Sequence, residues 1–130
     1  FSFGDEETKL GEYAWYKLNS NKKTQPVGLK KPNAWGLYDM AGNVAEWTSS
    51  LFYEGGYNFQ HDMNPDIRWN AKDSDPPRMK RKVLRGGSWK DVGYFLQTST
   101  RSYEYQDTAK SYIGFRCVID LPPAAKRGKK

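Results

Sequence analysis

Along the chain, apolar positions come in short bursts separated by polar, Gly-rich and Pro-rich stretches. No burst keeps a helical period for more than a turn or two, so long helices are not expected. Residues 1–12 read as a polar loop, and Tyr13, Trp15 and Leu18 form too short a series to assign. Asn19–Lys23, Pro26–Gly28 and Lys31–Asn33 are turn punctuation. They lead into Gly36–Trp47, where Leu37, Tyr38, Met40, Val44 and Trp47 surround a Gly42-Asn43 turn. A helical turn is expected at Leu37–Met40 and a strand at Val44–Ser49. That strand would put Val44, Glu46 and Thr48 on one face and Ala45, Trp47 and Ser49 on the other.

Residues 53–80 are long and irregular, which points to a contact surface or a functional loop. Asp62, Asn64, Asp66, Asn70 and Asp73 have some of the look of a calcium loop. Ile67 stands where its sharp-turn Gly belongs, so Asx turns are the better reading. Lys82–Trp89 reads as a strand that ends in Gly86-Gly87. Ile113–Ile119 reads as a central strand, with Arg116 placed to pair with a buried carboxylate. Leu121-Pro122-Pro123 closes the domain, giving a domain at 1–120 and a basic tail at 121–130.

The carboxylates of Asp39 and Glu46 sit on either side of the Gly-Asn turn, which folds them towards one point. Oxygens converging on a point are what a hard cation requires. By spacing alone, bracing of the turn is the favoured reading.

Composition narrows the choices. An aromatic share of 15% points to an aromatic-rich core. No apolar run is long enough to span a bilayer as a helix. Lys126, Arg127, Lys129 and Lys130 carry four of the six net positive charges, so a nucleic-acid face is not expected. The cluster Arg78, Lys80, Arg81 and Lys82 reads as solvated. One Cys and one His exclude a Cys/His zinc site, and His61 reads as a surface residue rather than a triad member.

Four pieces in order, GLYDMAGNVAEW (36–47), VLRGGSW (83–89), Arg101 in Thr-Arg-Ser, and IGFRC (113–117), resemble the formylglycine-generating enzyme or sulfatase-modifying-factor family. The resemblance covers roughly Phe1 to Ile119. It implies the C-terminal part of an α+β, C-type-lectin-like fold rich in loops, with an earlier segment upstream of Phe1. It also implies calcium, held by Asp39, the carbonyls of Gly42 and Val44, and Glu46, in a structural role. It argues against catalysis, because the sulfatase-activating members need two cysteines between the Gly-Gly-Ser motif and the last strand. This chain has none between Ser88 and Ile113. No catalytic residue is therefore expected, and Cys117 matches a structural cysteine of the family. Residues 18–21, 25–28, 62–66 and 101–116 further resemble the ring lipoproteins of type IX secretion and gliding motility (the PorK/GldK type). That likeness implies a non-catalytic subunit in a large periplasmic ring with a PorN/GldN-type partner. The outer-membrane lipid anchor would lie upstream of Phe1. A calcium-dependent ligand module and a formylglycine-generating oxidase are the alternatives.

Overall fold

The computed structural model describes residues 1–54 and 68–119. Four strands build one sheet in the order β3-β2-β1-β4: β1 Ala45–Leu51, β2 Arg81–Arg85, β3 Ser102–Tyr105 and β4 Ile113–Gly114. One short helix, α1 (Leu10–Tyr13), follows a 3-10 turn at Glu7–Lys9, and further 3-10 turns lie at Pro77–Lys80 and Gly93–Leu96. The class is α+β with little helix. Among the described residues no helix is long and apolar enough to cross a membrane.

The sheet is centred on β1 and β2. They pair antiparallel, with Glu46 opposite Arg85 and Trp47 opposite Leu84, and the register shifts before Leu51 meets Lys82. Val83 and Leu84 are buried, and β3 pairs along β2 from Leu84–Ser102 to Arg81–Tyr105. Beside the sheet, Leu10, Ala14, Ala41 and Leu96 form a buried cluster, with Phe1, Phe3 and Tyr16 packed against it.

Several expectations change. Residues 1–12 are not simply a polar loop. Phe1, Phe3 and Tyr13 stack in series with ring centroids 5.2 and 4.3 Å apart, which ties the first residues to the core. The fully buried core is aliphatic, while Trp15, Trp47 and Trp89 are half-buried and Trp35 is exposed. Leu37–Met40 is irregular loop rather than helix. The physical reason lies in the backbone: Asp39 adopts φ 54°, in the left-handed region, and a right-handed helical turn cannot run through it.

Ile113–Ile119 is not a central strand. Only Ile113 and Gly114 pair, parallel to Ala45 and Glu46, and they do so at the sheet edge. Lys82 is not solvated either. It is buried, and its Nζ donates to the carbonyls of Ser49 (3.0 Å) and Trp69. His61, Asp62, Asn64, Asp66 and the basic tail lie outside the described residues.

Candidate functional site

The loop from Asp39 to Glu46 is held by backbone that reverses direction. Asp39, Gly42 and Asn43 all adopt positive φ, at 54°, 78° and 64°. Asp and Asn tolerate this conformation better than other side-chain-bearing residues, because their short polar groups bond locally. Gly42 has a second reason to be glycine: a Cβ there would fall on the carbonyl oxygen of Trp15. Its N–H donates to Gly86 O at 2.8 Å, which links the loop to the end of β2.

Asn43 is the hub of the loop and is buried. Its side chain meets the backbone of Gln25 twice: Oδ1 accepts from the N–H at 3.0 Å, and Nδ2 donates to the carbonyl at 2.9 Å. Its backbone N–H donates to Trp15 O at 2.7 Å, and its carbonyl accepts from Trp89 N–H at 2.8 Å. One residue thus joins the segments around positions 15, 25 and 89. Sequence reasoning treated Asn43 only as a turn former.

Of the two predicted carboxylates, Asp39 is the more suggestive. Its Oδ2 accepts from Gly28 N–H at 2.9 Å, while its Oδ1 is buried without a hydrogen-bond partner. A buried, charged oxygen with no donor is costly unless a cation or water meets it. Glu46 is occupied. Arg116 Nε lies 2.8 Å from both of its oxygens, and Nη2 lies 2.7 Å from Oε1. The same Nη2 donates to the carbonyls of Tyr38 (3.2 Å) and Asp39 (3.1 Å). The guanidinium therefore clamps the loop to β1. Its hydrogen bond to Glu46 is the main cause holding the Arg116 pKa above the usual arginine value, against partial desolvation.

Whether these residues suit calcium turns on donor chemistry. Among the described residues no group of three or more His, Cys, Asp or Glu side chains forms a metal cluster. A cation here would rest on two carboxylates plus the carbonyls of Gly42 and Val44, an all-oxygen set that suits a hard ion. The orphaned Asp39 Oδ1 fits that use. Glu46 suits it less well, because both its oxygens already face the Arg116 guanidinium, whose positive charge would repel a second cation beside it.

The Gly-Gly-Ser motif has a packing role. A Cβ at Gly87 would lie 2.6 Å from Leu96 Cδ1 and 2.9 Å from Phe95 O. Ser88 is buried, and its N–H and Oγ both donate to Asp91 Oδ2, at 2.9 and 2.7 Å. Asp91 had no role in the sequence reading, although a Ser-x-x-Asp spacing marks such turns. Cys117 is exposed and free. Phe52 packs on Tyr103 at 4.7 Å beneath Arg81, whereas Tyr53 is exposed.

Comparison with known proteins agrees with this framework. The profile of the sulfatase-modifying factor enzyme 1-like domain matches residues 4–121. The formylglycine-generating enzyme of Mus musculus is 34% identical over 105 residues, which is 78% of this chain and 26% of that protein. The inactive C-alpha-formylglycine-generating enzyme 2 of Bos taurus is 34% identical over 99 residues, 72% of this chain and 26% of that protein. The chain thus spans about a quarter of the length of these curated relatives. Treponema denticola variable protein 1 superposes with a TM-score of 0.64 at 34% identity, over 86% of this chain and 37% of that one. The mixed α+β sheet with few helices is consistent with a C-type-lectin-like fold, and the chain belongs to the sulfatase-modifying factor enzyme 1-like family.

Proposed function

We propose that this chain is part of a non-catalytic member of its family and acts as a structural subunit of type IX secretion and gliding-motility machinery. In this reading it joins a PorN/GldN-type partner in a ring on the periplasmic face of the outer membrane, lipid-anchored from outside this chain. The observation that carries the non-catalytic part is the thiol inventory. Cys117 is the one cysteine of the sequence, and none lies between Ser88 and Ile113, where the cysteine pair expected of sulfatase-activating members would stand. A relative that is itself named inactive supports the same reading. Support for the secretion role comes from the sequence likeness at 18–21, 25–28, 62–66 and 101–116. The second of these segments sits against the Asp39–Asn43 loop.

Calcium at Asp39, Gly42, Val44 and Glu46 would be structural and would bring positive charge to the unpartnered Asp39 Oδ1. If it binds only the folded chain, melting temperature rises with calcium and falls with chelator. Asp39→Ala removes that dependence. A wild-type melt indifferent to chelator refutes calcium here.

The test of the main reading is affinity isolation from gently solubilised envelopes, followed by electron microscopy. A large ring containing a second protein is the expected product, and a lone small particle refutes it. The second reading, a formylglycine-generating oxidase, draws on the naming of the 34%-identical mouse relative. Formylglycine formed in a cysteine peptide supplied with copper would establish it over the first.

A further inference from the structure

Residues 13–38 hold five lysines and no Asp or Glu. The acids that flank this stretch are already engaged. Glu12 pairs with Lys31, and Asp39 turns Oδ2 onto the Gly28 N–H and buries Oδ1. The same stretch carries exposed apolar side chains: Leu18, Val27 and Trp35 are 81%, 79% and 79% exposed, and Leu29, Leu37 and Tyr38 are exposed as well. Hydrogen bonds gather them. Ser20 O accepts from Gln25 Nε2, which draws the turns at 17–23 alongside the 25–28 segment. The bond from Gly28 to Asp39 brings Val27 and Leu29 close to Tyr38. The turn that carries Trp35 is closed by Asn33, whose carbonyl accepts from Gly36 N–H and whose N–H donates to Leu37 O. Lys30 folds inward onto the Gly11 carbonyl and the Trp15 ring, whereas Lys17, Lys22 and Lys23 are exposed.

We infer that the face built by residues 17–38 docks on an anionic lipid bilayer. Charge complementarity argues for this occupant, since lysines without intervening acids are drawn to anionic headgroups. Trp35 and Tyr38 belong to the side chains that settle at headgroup level, and Leu18, Val27 and Leu29 suit the acyl boundary just below. Lysine stems lie along such a boundary while their charged ends stay in water. The shape argues the same way. These apolar groups stand on separate turns, and a fluid interface takes up such tips without a matching groove. A protein partner would need a surface packed closely around each of them.

Vesicle co-sedimentation tests this with the full polypeptide made without lipid modification. The samples are wild type, Val27→Ser with Trp35→Ser, Lys22→Glu with Lys23→Glu, and a variant lacking Lys126–Lys130. On vesicles of equal parts phosphatidylglycerol and phosphatidylcholine, each double substitution should weaken binding about tenfold, and removal of the tail should leave most of it. Pure phosphatidylcholine should bind the wild type about tenfold more weakly than the mixture. All four substituted sites are exposed, so the melting temperatures should match wild type. As a second readout, lipids brominated near the headgroup should quench the tryptophan fluorescence of wild type more than that of Trp35→Phe. Unchanged binding by the Val27 and Trp35 variant overturns the inference, as do equal binding to neutral vesicles, loss of binding with the tail, and quenching that Trp35→Phe leaves unaltered. So does a dimer in solution that the Val27 and Trp35 substitutions abolish, which would make a second copy the occupant. None of these outcomes depends on a secretion ring, so failure here leaves that reading untouched.

Discussion

Replacing Asn43 with alanine removes two hydrogen bonds to the Gln25 backbone while leaving the turn in place. Each bond contributes about 1 kcal/mol net. Gln25 is only half-buried, so water reaches its abandoned N–H and C=O, and no further burial penalty is added. At φ 64° an alanine also loses the local bonding that lets asparagine tolerate this conformation, at about 1 kcal/mol. Together the substitution costs about 3 kcal/mol, or about 12 °C of melting temperature for a domain of this size. Asn43→Gly separates the parts. It accepts positive φ and loses only the side-chain bonds, so it should melt about 4 °C above the alanine variant. Thermal melts and urea titrations of the three proteins provide the assay. An alanine variant within about 0.5 kcal/mol of wild type, the range of ordinary surface changes, would refute the hub role of Asn43.

Gly42→Ala should be worse than Asn43→Ala, because a Cβ pressed onto the Trp15 carbonyl meets rigid backbone. Little folded protein is expected by circular dichroism, and a soluble variant with wild-type melting would contradict the close approach. Lys82 gives a pH prediction. Burial pushes its pKa below the ordinary lysine value, so the unfolded chain keeps the proton to higher pH than the folded chain does. The penalty is fully present below the folded value, and stability rises as pH climbs from there to the ordinary one. Lys82→Met should flatten that alkaline rise in urea midpoints. Equal slopes in the two proteins would rule out a charged, desolvated Lys82.

Much of this fold is carried by local pattern, and those parts were readable in advance. The alternation of Val44–Ser49 gave β1 to within two residues, whereas the strand read at Lys82–Trp89 starts one residue earlier and ends at Arg85, before the glycine pair. The pairing of Arg116 with a carboxylate followed from a charge set in an apolar run. What failed needed tertiary context. Leu37–Met40 has helix-compatible residues, but Asp39 takes a left-handed backbone conformation that the later Gly42-Asn43 turn and its partners favour and that no local pattern announces. Ile113–Ile119 has strong strand preference, yet preference does not say whether a neighbour exists on both flanks. Lys82 looked solvated because it belongs to a basic run, and only the arrangement of Ser49 and Trp69 around it shows otherwise. In the site, the acidic pair was visible as chemistry. Asn43 was missed because amide-to-backbone bonds across 18 residues leave no local spacing to read.

The Arg116–Glu46 clamp joins positions 70 residues apart, and the Ser20–Trp89 bond spans 69. β1 likewise pairs with β4 from near the far end of the described chain. Contacts of such span reward the chain only after most of it has been ordered, so this domain should fold slowly for its size. During synthesis, Glu46 leaves the ribosome well before Arg116 exists. Until then, the loop that orders Asp39 and Asn43 has a carboxylate without its cation, and the site can close only when the last strand arrives.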